Sequence, residues 1–235
     1  MNTLEHPISV AIESTCRIGG LALGAGETLI EVLPFDASLR AATQVVARLD
    51  DLAGRHGFAP SEIGELYVSV GPGSFTGTRV GVTVARTLAQ AALCKCVSVP
   101  TLQAVAHNAI PQADVQHLAV VLDAKHGRIF AQIFERQGQG FVPAALAELT
   151  TAQELLSRTP RPLHVIGEGL GYHDLHAEGV TYLPEKDWLP RAEGVWAVGR
   201  QMAAAGQFTD YAHLLPVYTG KPEAVRKWEE RHGPR

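Results

Sequence analysis

The chain has 235 residues, 20 Lys and Arg against 24 Asp and Glu, a formal net charge of −4, and 46% hydrophobic against 19% charged residues. These are the proportions of an ordinary folded globular protein. The acid excess argues against a chain that grips nucleic acid by itself, because phosphate binding leaves a clustered basic surface.

Lys and Arg are scattered, apart from Lys221, Arg226, Lys227, Arg231 and Arg235, a group that Glu223, Glu229 and Glu230 dilute. With no run of about 18 apolar residues, no membrane span is expected. The polar opening Met1 to Pro7 and the brief apolar run after it do not make a secretion signal, and a cytoplasmic location follows as the expectation. Three cysteines, Cys16, Cys94 and Cys96, are too few for a disulfide framework and suit a reducing compartment. Cys94-Lys95-Cys96 lacks a second pair at finger spacing, and His173-Asp174-Leu175-His176, the one close histidine pair, sits between glycines. No metal site is expected from either.

In chain order, Ile8 to Glu13 reads as a strand, Gly19 to Leu23 as a second and Thr28 to Leu33 as a third, with Gly24-Ala25-Gly26 as a turn. A helix is predicted over 38–56, capped by Ser38 and ended by Gly57, with Val45, Val46, Leu49, Leu52 and Ala53 on its apolar face. Leu66 to Val70 is a buried strand running into Gly71-Pro72-Gly73, and a second long helix spans about 76–92. A strand at 97–99 and a helix near 102–110 complete the first half. Strands at 118–124, 128–135, 141–149, 163–166 and 180–183, a helix capped by Thr151 and a helix over 191–205 form the second. Both halves repeat strand, strand, strand, helix, strand, helix. The repeat predicts an α/β architecture of two lobes, 1–112 and 113–235, each a mixed sheet covered by helices and facing each other across a cleft.

The segment Gly71-Pro72-Gly73-Ser74-Phe75-Thr76-Gly77 joins a strand to a helix, a shape that can cradle phosphate on helix-start N–H groups. It is not a Walker A loop, since no Lys-Ser or Lys-Thr follows, nor does its glycine spacing fit the dinucleotide fingerprint. Behind it, Gly77, Gly81, Ala85 and Ala89 recur every four residues and form a small-residue stripe. Such a stripe admits a second helix at close range, either from the same chain or from a partner. Val80, Val84 and Leu88 lie on the adjoining face and are expected to cover the sheet.

With these residues in hand, Gly71 to Gly81 resembles the GPGSFTGxRxG segment of the TsaB family. Ala11-Ile12-Glu13-Ser14-Thr15 is similar to the family's opening A-I-D-T-S, Asp123 to Phe130 to its D-A-R-x-G-E-V-Y hairpin, and Pro216-Val217-Tyr218 to its P-x-Y. The match runs over most of the chain. The resemblance implies an actin-like ATPase (ASKHA) fold of two ribonuclease-H-like lobes. It further implies a pseudo-enzyme that pairs with a TsaD-like catalytic paralogue through its first two long helices, joined by a TsaE-like ATPase. Together these attach a threonylcarbamoyl group to the adenosine beside a tRNA anticodon. Glu13 stands where the family has aspartate, and Thr219-Gly220-Lys221-Pro222 departs from its tail.

The partner-binding residues expected on this basis are Val45, Leu49, Gly77, Gly81, Ala85 and Ala89, with Gly81→Leu blocking association in a chain that still folds. Alone, the chain is expected to cover that face with a second copy. Glu13, Ser74 and Asp123 mark the nucleotide or phosphate vicinity, while no catalytic residue and no metal ligand is assigned. No cofactor is expected in the isolated chain; ATP and Mg²⁺ belong to the complex, as does tRNA. A free-standing ATPase or kinase using Glu13, Ser74 and Asp123 is the competing reading, and a peptidase is weaker still, because no Ser/His/Asp or Cys/His set can be assembled.

Overall fold

The computed structural model describes residues 7–218, 228 and 231–233. The divergent segment Thr219 to Pro222 and most of the basic C-terminal group (Lys221, Arg226, Lys227 and Arg235) lie outside the described residues.

The first half contains β1 (Ile8–Glu13), β2 (Gly20–Ala25), β3 (Thr28–Pro34), α1 (Ala41–His56), β4 (Ile63–Ser69), α2 (Phe75–Ala92), β5 (Lys95–Val99) and α3 (Thr101–His107). The second contains β6 (His117–Asp123), β7 (Ile129–Gln137), β8 (Gly140–Pro143), β9 (Glu148–Thr150), α4 (Ala152–Arg158), β10 (Leu163–Ile166), β11 (Val180–Tyr182) and α5 (Ala192–Ala204). One sheet has the order β3-β2-β1-β4-β5 and the other β11-β10-β6-β7-β8, with β9 also on β7. Writing β6, β7, β8, β10 and β11 in place of β1 to β5 turns one order into the other. The strand directions match too: β1 and β6 each pair antiparallel with the next strand and parallel with β4 and β10 respectively. The repeat read in the sequence is therefore a repeat of topology.

Every residue of β1 is buried, because both faces of its sheet are covered. Val10 and Ile12 point to one side, into a core with Val45, Leu49 and Leu52 of α1 and Val82, Ala85 and Ala89 of α2. Ala11 points to the other, with Tyr67, Val97, Val99 and residues Ala192, Val195 and Trp196 of α5. The second sheet is sandwiched in the same way. Leu118, Val120 and Leu122 meet Leu102 and Val105 of α3, while Ala119 and Val121 meet Leu155 of α4. Among the described residues no helix is long and apolar enough to cross a membrane.

Three expectations need correction. The 112/113 boundary separates the two sheets but not the two lobes, because the chain returns to the first sheet from Ala192 onward. The Trp196 indole lies against Gly24 and its N–H donates to Ser9 Oγ at 2.9 Å. Farther on, the Thr209 N–H donates to Cys96 O at 2.8 Å, Leu214 is buried in the first core, and the Val217 N–H donates to Val70 O at 2.7 Å. Next, α1 begins at Ala41 and has no side-chain cap. Ser38 instead turns to the near acid, its N–H and hydroxyl both donating to Asp36 Oδ1 at 2.8 and 2.7 Å. Lastly, the strand expected over 141–149 is two short strands, β8 and β9, both on β7.

The seat of α5 depends on Gly199, where a Cβ would stand 2.5 Å from Tyr67 Cγ. Gly199→Ala is expected to lower stability by about 1–3 kcal/mol, the usual cost of overpacking a tight contact. Urea denaturation of the two proteins, with an unchanged m-value, checks this.

Candidate functional site

The loop after β4 is built on the end of β1. The Ser74 N–H donates to Thr15 O at 2.6 Å, and Ser14 Oγ donates to Gly77 O at 2.9 Å. A Cβ on Gly73 would meet Thr15 O at 2.5 Å, one on Gly77 would collide with Ser14 O, and one on Gly81 with Ser14 Oγ. The glycines are thus required by close contact within the chain, with the backbone of Thr15 and Ser14 at Gly73 and Gly77 and with the Ser14 side chain at Gly81. Gly71 takes φ +109, which L side chains rarely adopt, with its N–H on Thr101 Oγ1 at 3.1 Å. Ser74 is the N-cap of α2: the Gly77 N–H donates to its Oγ at 3.2 Å. The hydroxyl expected near a phosphate is therefore engaged in starting the helix.

The small-residue stripe faces inward. Gly77, Gly81, Ala85 and Ala89 are buried against β1 and the first core, as are Val45 and Leu49 of α1. These six residues offer no surface to a partner while the chain is folded, which corrects the assignment of the interface to them. The side expected to cover the sheet is the more open one: Val80, Val84 and Leu88 are half-buried at the margin of the first core. On α1, Val46 is 66% exposed.

Glu13 ends β1 fully buried. Its Oε1 accepts from the Thr15 N–H and Thr15 Oγ1 at 2.5 and 2.6 Å, while its Oε2 has no partner among the described residues. Burial raises its pKa despite those hydrogen bonds. Ser69, Thr101 and Thr15 link this carboxyl to the Gly71 N–H, with Ser69 Oγ 2.8 Å from Thr101 Oγ1. Cys16 follows, its thiol pushed well up by burial and then by the charge of Glu13, with a smaller contribution from Glu168 of the second lobe.

Asp123 ends β6. Burial works against its charge, but Lys125 and His173 hold its pKa below the usual range. Oδ1 accepts from the Lys125 N–H at 2.9 Å and lies 2.9 Å from His173 Nε2, while Oδ2 accepts from Lys125 Nζ at 2.5 Å. Glu168 stands nearby with its pKa raised, by burial first and then by Asp123. Neither Lys125, His173 nor Glu168 was singled out from sequence for this cluster; the D-A-K-H-G hairpin was the available signal, since it places residue 125 back over residue 123. His176 pairs instead with Asp174, at 2.8 Å, so the two close histidines do not act together. The three cysteines are free thiols, and among the described residues no group of three or more His, Cys, Asp and Glu could hold a metal ion.

A third cluster went unnoticed in the sequence. The Arg79 guanidinium stacks on the Phe75 ring, 3.8 Å from its centroid, and its Nε donates to Tyr218 OH at 2.8 Å. Phe75 and Tyr218 pack together at 5.4 Å. The family-like segments GPGSFTGTR and P-V-Y meet at this point.

The buried, proton-favouring Glu13 generates one prediction. Because its folded-state pKa lies above the ordinary 4.5, its contribution to stability is complete below that value and is lost as pH rises toward the folded-state pKa. Stability measured from pH 4 to pH 8 should fall more steeply in the natural chain than in Glu13→Gln. Parallel curves for the two proteins would refute the assignment.

The family model for TsaD, tRNA N6-adenosine threonylcarbamoyltransferase, matches residues 31–215. The tRNA threonylcarbamoyladenosine biosynthesis protein TsaB of Bacillus subtilis is 28% identical over 94% of this chain and 97% of its own length. Its Escherichia coli namesake is 27% identical over 93% and 96%. Two solved structures share the fold: YeaZ from Pseudomonas aeruginosa (TM-score 0.78, 21% identity, 90% of this chain and 99% of that one) and a protein described as similar to peptidase YeaZ from the same organism (0.79, 20%, 91% and 100%). They fit the two-lobed actin-like, ribonuclease-H-like architecture that the repeated sheets display. The chain belongs to the tRNA N6-adenosine threonylcarbamoyltransferase family and, within it, to the TsaB proteins.

Proposed function

We propose that this chain is the non-catalytic scaffold and dimerisation subunit of the complex that forms N6-threonylcarbamoyladenosine beside the anticodon of tRNA. Family membership and the names of the TsaB relatives support the pathway. The observation that carries the scaffold role is the state of the groups an actin-like ATPase would use. Glu13 is buried without access to solvent, Ser74 caps α2, and both oxygens of Asp123 accept from Lys125 and one also meets His173. A free-standing ATPase or kinase would have to release all three, so that reading is not favoured. A peptidase is supported by nothing in the geometry.

The partner in this reading is a TsaD-like catalytic paralogue, seated on the outer face of α1 and α2. Val46, Val80, Val84 and Leu88 supply that face in place of the inward stripe. A TsaE-like ATPase joins the pair, ATP and Mg²⁺ act in the assembled complex, and tRNA is met through it. Alone, the chain covers the face with a second copy of itself by the usual isologous contact.

Two measurements test this. Val84→Arg should weaken association with the TsaD-like paralogue by about tenfold or more, as charge burial at an apolar interface does, and shift the isolated chain toward monomer in light scattering. Its melting temperature should stay near that of the natural protein, because position 84 is half open. Gly81→Leu should instead fail to fold, since Ser14 Oγ occupies the space its side chain would need; a soluble, cooperatively melting Gly81→Leu would contradict the packing described.

A further inference from the structure

We propose that Arg79 is a preorganised docking fork for a carboxylate of the partner subunit, at the loop end of the α1–α2 face; this rests on the interface reading above. Three observations meet at this residue. Its guanidinium is stacked on Phe75 and fixed at Nε by Tyr218, so its plane is set before any partner arrives. Nη1 and Nη2 have no partner among the described residues, although Arg79 is exposed and aspartate and glutamate outnumber basic residues in the chain. Finally, the two rings that hold it remain open, Phe75 at 48% and Tyr218 at 45% exposure, with Val217 at 47% and Leu215 at 58% beside them in sequence.

A structural role would be expected to use the Nη donors inward, as Arg136 does: its Nη2 donates to Gln112 O at 2.6 Å. Among the described residues Arg79 uses only Nε and leaves the pair of donors whose fork geometry matches a planar two-oxygen acceptor. Arginine and tyrosine, flanked by open apolar side chains, are also the residue types that dominate protein–protein hot spots. Phosphate is the other acceptor that can take both prongs of a guanidinium fork. Only Arg86 repeats the charge on this side of α2, two turns on, and two cations are too few for a nucleic-acid track on a chain of net charge −4. An acidic side chain of a protein partner is the better match.

The test uses the full chain with the TsaD-like paralogue. Arg79→Gln should weaken association about tenfold or more, with a melting temperature close to that of the natural chain, and the salt dependence of binding should flatten. Arg79→Lys should recover little of the loss, because an ammonium lacks the fork, and Tyr218→Phe should cost a few-fold by freeing Nε. Unchanged affinity in Arg79→Gln alongside loss in Val84→Arg overturns this proposal and leaves the interface intact. No loss in either overturns the interface itself. Intact association with weakened tRNA binding by the assembled complex also overturns the proposal, by making phosphate the acceptor.

Discussion

The first lobe is organised by a close approach of a helix to a strand end. α2 lies on Ser14 and Thr15 at the end of β1 so tightly that Gly73, Gly77 and Gly81 have no room for a single methyl group. A glycine inside a helix costs about 1 kcal/mol relative to alanine, and the chain carries two of them in the first two turns of α2. Their return is position: α2 is locked to the central strand, Ser74 starts it, and Ser14 Oγ donates back to the Gly77 carbonyl. The same contact fills the place beneath the loop. Beside it stands Glu13, buried and proton-favouring at the end of the same strand.

From this contact the rest of the lobe follows. With α1 and α2 fixed on one face of the first sheet, its other face needs a cover, and the chain supplies it late by bringing α5 back across from the second lobe. Gly24 and Gly199 are the places where that return is closest, one under the Trp196 indole and one on the Tyr67 ring. The segment after α5 then follows β5 and reaches Val70, which delivers Tyr218 to the beginning of α2. The two lobes are therefore tied at both ends of the chain. The second sheet repeats the first in order and direction, and Gly167 and Gly169 press on Val121 of β6 as the α2 glycines press on the end of β1, but a short 3-10 turn follows there in place of a long helix.

Much of this was legible. Strand positions emerged from apolar runs, because strands covered on both faces read as continuous hydrophobic segments, and the order of elements disclosed the internal repeat. Thr151 could be placed at a helix start by residue type, whereas Ser74, read as a phosphate neighbour, is the N-cap of α2. What spacing could not give was direction. A four-residue period defines a stripe on a helix but not which neighbour it meets, so Gly77 to Ala89 could be read equally as inward or outward; only Ser14 beneath them decides it. Ser38 has a good cap's chemistry, yet Asp36 two residues earlier offered its hydroxyl a nearer acceptor. The division at 112/113 failed for α5 because a domain boundary read from element order assumes that sequence neighbours are spatial neighbours. Clusters joining distant segments, such as Asp123 with His173 or Arg79 with Tyr218, have no local signature at all.

The acids at the two strand ends are engaged within the chain itself. In this chain the strand-end acids stabilise loops: Asp123 gathers Lys125 and His173, and Glu13 gathers Thr15. Such hydrogen bonds tie down the ends of β1 and β6. Rigidity there has a use if the work is done elsewhere, since a preorganised surface loses less freedom when a partner binds. The outer side of α2 is where that benefit is available. Its apolar margin, Val80, Val84 and Leu88, is carried by a helix packed closely on β1, and the Arg79 guanidinium is held by two rings, Phe75 and Tyr218, far apart in the sequence. The glycine loop that identifies the family thus acts through position, fixing the helix behind it on the central strand.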